Sequence, residues 1–296
     1  MDKQTISEAY KAIQDDICRK LEVLDGGAVF TRENWARDGG GGGESRILLN
    51  GALIEKGGVN FSSVHGQLPD VVKKSFGVDE SEFFATGVSI VLHPHHPLVP
   101  VIHMNIRYFE LTPEKRWFGG GIDLTPHYVF DEDARYFHQG LKEICSRFHP
   151  DFYSRFKTWA DDYFYIRHRQ ETRGIGGIFY DRLTGNDEIG WEQLFDFSLA
   201  VGNYFAPVYS ELAGRHREKA FTEAEKEWQY IRRSRYAEFN LVYDSGTKFG
   251  LETNGRIESI LMSLPPMASW VYNHQPEPGT PEAETLGKLK KGIAWV

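Results

Sequence analysis

Hydrophobic residues recur at steps of three and four in several stretches, the spacing of an amphipathic helix. Helices are predicted from Ser7 to Leu24, from Asp131 to Phe148 and from Trp191 to Leu212. Thr222 and Glu225 have the spacing of a capping box, so a further helix is predicted to begin there.

Other stretches are apolar and β-branched, or alternate apolar with polar residues, as strands do. Strands are predicted over Phe84–His93 and Val99–Phe109. A second pair is predicted over Ala237–Tyr243 and Thr247–Thr253, joined by a hairpin turn at Asp244–Gly246. Strand pairs with short turns, and helices in blocks, predict a single α+β domain over residues 1–296. Its sheet is expected to be large and mainly antiparallel.

Three glycine runs break these patterns. A loop is predicted at Gly39–Gly43, and Gly119–Gly121 is predicted to interrupt the chain before Asp123. The third run, Gly174–Gly177, follows Arg173. None of them fits a phosphate-binding or dinucleotide-binding motif, so close backbone approach or positive φ is the better explanation.

The strand from Val99 to Phe109 has two different faces, because side chains alternate along a strand. His103, Asn105 and Arg107 share one face, and the other face is apolar. His103 and Arg107 would stand about 13 Å apart, a span that suits a broad, flat ligand. Ser89 lies on the corresponding face of the preceding strand. A polar face that simply meets water fits the same pattern.

The formal net charge of −8 argues against general binding to nucleic acid or an anionic membrane. No apolar run reaches the roughly 20 residues of a membrane helix. Cys18 and Cys145 are the only cysteines and are expected to be reduced. The amino terminus contains acids and has no apolar segment, so a cytoplasmic protein is expected.

The polar residues leave more than one kind of site open. The histidines lack a compact zinc motif, which favours proton transfer or hydrogen bonding over a structural metal. Arg46, Arg173 and Arg256 lie near glycines, where a guanidinium can bind a planar carboxylate through two N–H groups. Solvation at the surface is the alternative for each arginine. Asp123 fits either a turn cap or a partner for a ligand's N–H groups.

Eight stretches along nearly the whole chain resemble the oxygen-dependent coproporphyrinogen III oxidases, in the same order and most closely the bacterial branch. They are GGGGGESRIL, EKGGVNFSSVHG, FFATGVSIVLHP, HMNIRYFE, WFGGGIDLTPHY, DDYFYIRHRQETRGIGGIFYD, RYAEFNLVYDSGTKFGLETNGRIESILMSLPP and WVYNHQP. The resemblance implies a large antiparallel sheet sandwiched by helices. It implies that two propionates of coproporphyrinogen III are oxidatively decarboxylated to vinyl groups in haem biosynthesis, giving protoporphyrinogen IX. Molecular oxygen is the co-substrate, and no organic cofactor is required.

The resemblance also implies roles for particular residues. The catalytic set is His103 as a proton donor, Asp123 beneath the macrocycle, and Arg107 and Arg173 on propionates. Substrate contacts are implied for Ser89, Asn105, Ile106, Arg107, Asn254, Gly255 and Arg256. His93, His103, His138 and His168 match four histidines that have been assigned to a divalent metal. A homodimer is implied through roughly Tyr236–Trp270.

Two other functions stay open at this point. A metal-dependent oxygenase would use the histidines with a carboxylate on one iron, and it predicts stoichiometric iron. A tetrapyrrole carrier would bind the ligand and consume no oxygen.

Overall fold

The computed structural model describes residues 1–68, 73, 77–80, 82–252 and 255–296. The first half of this part contains helix α1 (Lys3–Asp25) and strands β1 (Thr31–Ala36), β2 (Gly41–Leu49), β3 (Ile54–Gln67), β4 (Glu82–Pro94), β5 (Val101–Glu110) and β6 (Arg116–Thr125). Next come α2 (Asp131–Phe148), α3 (Phe152–Tyr163), β7 (Tyr165–Ile166), β8 (Glu171–Thr172) and β9 (Gly176–Leu183). The remainder is helical, with α4 (Trp191–Gly214), α5 (Glu223–Val242), α6 (Ser245–Glu252), α7 (Ile257–Leu261) and α8 (Pro281–Lys288).

Seven strands form one antiparallel sheet in the order β1-β2-β3-β4-β5-β6-β9. The first six pair with their neighbours in the chain. The last strand, β9, pairs with β6, and helices α2 and α3 lie between these two strands in the sequence. The predicted α+β fold with a mainly antiparallel sheet is confirmed.

The first face of the sheet forms the main hydrophobic core with α1 and α4. Ile102, Met104 and Ile106 of β5 are fully buried there. A Cβ on Gly202 of α4 would lie 2.8 Å from a methyl carbon of Ile13 in α1, and 3.0 Å from one of Ile106. The glycine therefore allows two helices and the sheet to meet closely.

The second face is covered by helices from the last third of the chain. Tyr236 of α5 packs on Val91 and Val101. Met262, which follows α7, contacts the bare backbone of Gly58. The sheet therefore lies between two helical layers, as the resemblance implies.

The structure reproduces the predicted bounds of one helix and the predicted start of another. The helix from Asp131 to Phe148 has the predicted bounds. At Thr222 the capping box is present, because the backbone N–H of Glu225 donates to Thr222 Oγ1 and Glu225 Oε2 accepts from the Thr222 N–H. The opening helix runs slightly beyond its prediction at both ends.

The predicted hairpin after Ala237 is wrong. Helix α5 runs on to Val242, and nearly every residue from Trp228 to Asn240 is buried. Asp244 Oδ2 accepts from the Thr247 N–H at 2.7 Å and caps α6, where a turn was predicted. Aromatic and apolar composition favoured strands, but α5 continues through this segment and buries polar as well as apolar residues.

The first two glycine runs were also predicted incorrectly. The turn near Gly39 is shorter than predicted, because β2 already begins at Gly41. Gly40 and Gly41 adopt positive φ in this turn. Gly119–Gly121 does not interrupt the chain but lies inside β6. Glycine is tolerated in these strands where other groups approach the backbone.

Cys18 and Cys145 are buried free thiols, so the prediction that they are unbridged is confirmed. Burial raises the pKa of each thiol to about 12, which keeps both protonated. Among the helices that the structure describes, none has a stretch long and apolar enough to cross a bilayer.

Candidate active site

Polar side chains from three strands lie side by side on the second face of the sheet. The register of β4 with β5 places Ser89 beside Asn105, and that of β5 with β6 places His103 beside Asp123. Arg107 follows on the same face of β5. The predicted alternation along this strand is confirmed.

Glycine occupies much of the same face. The positions are Gly58 on β3, Gly87 on β4, Gly119 and Gly121 on β6, and Gly177 on β9. Because these positions carry no side chain, other groups can approach the backbone of the sheet closely there. We call this surface the glycine floor.

A cavity of about 240 Å³ lies over the part of the glycine floor at Gly121. The floor side of the cavity includes Ser89, His103, Asn105, Arg107, Gly120 and Gly121. Its remaining lining includes Asn60, Val91, Tyr163, Arg173, Phe179, Asn240, Asp244, Gly246, Thr247, Ser259, Ile260, Met262 and Ser263. The sheet and the helical layer of α5 to α7 therefore enclose it together.

His103, Asp123 and Arg173 form a hydrogen-bonded array at one end of the cavity. His103 Nδ1 lies 2.7 Å from Asp123 Oδ1, and Arg173 Nη2 lies 2.8 Å from both carboxylate oxygens. An ionised carboxylate only accepts, so His103 Nδ1 carries the proton and donates it. In a neutral ring the lone pair is then on Nε2, and the ring lines the cavity.

The Asp123 carboxyl is 1% exposed and does not itself line the cavity. Burial opposes its ionisation, but the Arg173 charge and the His103 hydrogen bond together outweigh burial. They hold the pKa of Asp123 below its usual range, so the group is a carboxylate at neutral pH. In this geometry Asp123 acts on a ligand through His103.

Arg173 is buried, and both of its terminal guanidinium nitrogens bond to protein side chains. Its Nη1 donates to Asn240 Oδ1 at 2.7 Å, and its guanidinium packs on three aromatic rings. Those rings are Phe164, Tyr236 and Phe239, with centroids 4.4, 4.5 and 4.7 Å away. Binding of a substrate carboxylate by Arg173 stays a prediction, but its placement favours fixing Asp123.

Arg107 is the more accessible arginine of the cavity. Its side chain is 36% exposed, its Nη1 donates to Asn105 Oδ1 at 3.3 Å, and its Nη2 lies 2.9 Å from Asp181 Oδ1. A guanidinium has five N–H donors, so this arginine can bind a further carboxylate without losing these contacts.

The four histidines of the metal alternative do not converge on one point. His93 Nε2 and His138 Nε2 each donate to a backbone carbonyl, at 2.9 and 3.0 Å. Both ring nitrogens of His168 bond to side chains at the end of α5, and His103 bonds to Asp123. In the described part of the chain, no group of three or more His, Cys, Asp or Glu residues is placed to hold a metal ion. This donor set does not fit a shared metal.

Comparison with known proteins gives the family. The family model of coproporphyrinogen III oxidase matches residues 5–295. The oxygen-dependent coproporphyrinogen-III oxidase of the chloroplast of Glycine max is 48% identical over 298 residues, covering 96% of this chain and 77% of that protein. The oxygen-dependent coproporphyrinogen-III oxidase of Parasynechococcus marenigrum (strain WH8102) is 47% identical over 308 residues, covering 96% and 85%.

A third relative, the chloroplastic coproporphyrinogen-III oxidase 1 of Arabidopsis thaliana, is 46% identical over 301 residues, covering 97% of this chain and 77% of its own length. The chain belongs to the coproporphyrinogen III oxidase family. The resemblance seen in the sequence motifs is thereby confirmed.

Ser89 and Asn105 line the cavity, whereas three other predicted substrate contacts of the family lie elsewhere. The side chain of Ile106 is in the core on the opposite face of the sheet. Arg256 pairs with Glu33 and donates to Ser45 Oγ at 3.2 Å. The Gly255 N–H donates to a backbone carbonyl of α6. Asn254 lies outside the described residues.

Several cavity residues were missed because they come from elements that were predicted wrongly or not considered. Asp244 and Thr247 were placed in a hairpin, yet they lie at the start of α6 over the cavity. Tyr163 and Phe179 stack with ring centroids 4.1 Å apart and form an aromatic side of the cavity. Phe179 could have been found from the sequence, because it lies two residues after Gly177 in β9 and therefore on the same face of the strand.

Proposed function

We propose that this chain oxidatively decarboxylates two propionates of coproporphyrinogen III to vinyl groups, with molecular oxygen as electron acceptor. The observation that carries the proposal is the glycine floor, bordered by His103 and Arg107 with Asp123 and Arg173 behind it. Membership of the family and the relatives' names support the same reaction. The product is protoporphyrinogen IX.

The substrate ring lies over the part of the glycine floor at Gly121, which lines the cavity. The cavity of about 240 Å³ is smaller than the range of about 300–1,000 Å³ usual for ligand pockets. The macrocycle therefore requires a wider cavity, and α6 and α7, which are more exposed than α5, are the part of its lining expected to move outward.

The chemistry requires proton transfer beside the ring. Each propionate loses carbon dioxide and a hydride equivalent, and oxygen takes up the hydride and one proton to leave as hydrogen peroxide. His103 Nε2 accepts a pyrrole proton, which makes the ring more easily oxidised, and returns it to the pyrrole nitrogen once the vinyl group has formed, while the proton taken up by the reduced oxygen comes from solvent. Asp123 orients the imidazole and stabilises its charged form, and Arg173 fixes Asp123.

Arg107 binds a substrate propionate through its remaining N–H groups. Arg107→Lys keeps the charge but loses the planar fork, so kcat/KM should fall, and Arg107→Ala should lower it further. Loss of a charge-assisted hydrogen bond costs about 1.5–3 kcal/mol, or roughly tenfold to a hundredfold in kcat/KM. Steady-state kinetics with melting temperatures measure this.

A matched control for Arg107 is Arg135→Ala, which removes an exposed arginine of α2. Its kinetics should equal those of the unchanged protein. Normal kinetics in Arg107→Ala would refute the assignment.

Catalysis needs no added metal and no organic cofactor. The support is the donor set, because each histidine of the metal alternative is engaged with a separate protein group. The cytoplasmic location predicted from the amino terminus stays a prediction.

The active form is a homodimer through the region of Tyr236–Trp270. Apolar side chains are exposed in and just beyond this region, where a partner surface would cover them. They are Leu241, Val242, Leu251, Ile257, Met267, Trp270, Val271 and Tyr272. Sedimentation velocity of the purified chain reports its mass directly, and a monomer at micromolar concentration would contradict the dimer.

The proposed function is tested by incubating chelator-treated protein with coproporphyrinogen III in air. Vinyl product by mass spectrometry and oxygen uptake are followed together, and both should rise with two decarboxylations per substrate. Binding without oxygen uptake would indicate a carrier. Activity restored only by one particular metal would indicate a metal-dependent oxygenase.

A further inference from the structure

Arg107 does not stand alone at the edge of the glycine floor. Asp181 of β9 reaches across Gly119 of β6, and its Oδ1 lies 2.9 Å from Arg107 Nη2. The contact is an ion pair, and Asp181 Oδ1 makes no hydrogen bond within the described residues. The two charged groups therefore meet directly above a position that has no side chain.

Gly119 is required for this meeting. A Cβ at this position would lie 2.5 Å from Asp181 Oδ1 and 2.7 Å from Arg107 Nε. Any larger residue would separate the two groups. The first glycine of the triple run thus has a specific use, because it lets two side chains cross the strand.

The backbone of β9 is also adapted at this point. The register between β6 and β9 shifts between Phe118 and Gly120, so β9 carries an extra residue beside Asp181. The adjacent Arg182 has φ of +49°, which is unusual for a residue with a side chain. Bulges of this kind re-aim side chains and are frequent next to active sites.

Stability does not account for this arrangement. The Arg107 and Asp181 side chains are 36% and 34% exposed, and ion pairs at that exposure contribute little to folding. The arrangement nevertheless includes a residue at positive φ and a bulge. A requirement for the exact direction of the Arg107 guanidinium explains them better.

We propose that Asp181 is a positioning residue for substrate binding, and this rests on the proposed function. Asp181 and Asn105 hold the Arg107 guanidinium from two sides, through Nη2 and Nη1. Its other N–H groups then face the cavity and receive one propionate of the substrate. Asp181 acts only through Arg107 and does not touch the reacting carbon atoms.

The test is a double-mutant cycle between Asp181 and Arg107. Asp181→Ala should raise KM about tenfold with kcat within about twofold, because the arginine is no longer held in direction. Asp181→Asn keeps an oxygen acceptor and should show a smaller increase. In the Arg107→Ala background, Asp181→Ala should have no further effect, because the residue it positions is absent.

A second readout is the Kd for coproporphyrin III, followed by porphyrin fluorescence, which requires no turnover. It should show the same coupling, so the inference is tested even if the unchanged protein fails to oxidise coproporphyrinogen III. Asp187→Ala, an exposed carboxylate in the loop after β9, is the control and should change neither KM nor Kd.

Circular dichroism and melting temperatures establish that each variant is folded. Three results would overturn the inference. They are unchanged KM and Kd in Asp181→Ala, tighter binding in that variant, or an equal effect of Asp181→Ala with and without Arg107.

Discussion

Replacing Asp123 with Asn lowers kcat by about a hundredfold or more, the usual cost of losing an acid–base arrangement, and leaves KM within about threefold. The carboxylate orients His103 and stabilises its charged form, and an amide does neither as well. KM changes little because the Asp123 side chain does not line the cavity. Steady-state kinetics separate the two parameters.

The Asp123→Asn variant also loses stability, because it leaves the Arg173 charge buried without a carboxylate. Breaking a buried pair in this way costs about 3–5 kcal/mol. The chain offers a matched control in Asp133, which is buried and pairs with Arg215 and His216 far from the glycine floor. Asp133→Asn should lower the melting temperature and leave kcat unchanged. Equal losses of kcat in both variants would show that stability explains the effect.

Replacing His103 with Ala lowers kcat by about a hundredfold or more, because His103 Nε2 is the proposed site of proton transfer. Added imidazole should restore part of the activity, since it can occupy the space left by the ring. His216→Ala is the control, because His216 is another buried histidine hydrogen-bonded to a carboxylate. It should lose stability without losing kcat, and imidazole should have no effect on it. A His103→Ala variant with normal turnover would refute the role of this residue.

The sequence predicted those parts of the site that depend on the period of a strand. His103, Asn105 and Arg107 were placed on one face because alternation has a fixed period of two, and β5 has that face. Ile106 shows the limit of the same reasoning, since a motif match included it although its side chain belongs to the core.

The rest of the site depends on contacts between distant segments, which no local pattern contains. Asp123 was expected against the ligand, but it is enclosed by Arg173, which lies 50 residues further along the chain. The segment that covers the cavity was predicted as a hairpin. Its aromatic and apolar composition was given more weight than the three-residue spacing of Tyr236 and Phe239, which both face the interior in α5. The role of Asp181 depends on a bulge and a glycine on two different strands.

The central claim is that the substrate ring lies on the glycine floor beside His103. A crystal structure of the protein with coproporphyrin III, the oxidised and unreactive relative of the substrate, tests it most directly. The expected result is a ring over Gly121 and Ser89, with His103 Nε2 at its inner edge and a propionate on Arg107. A ring bound elsewhere, such as in the cleft beside Tyr128 and His216, would contradict the account.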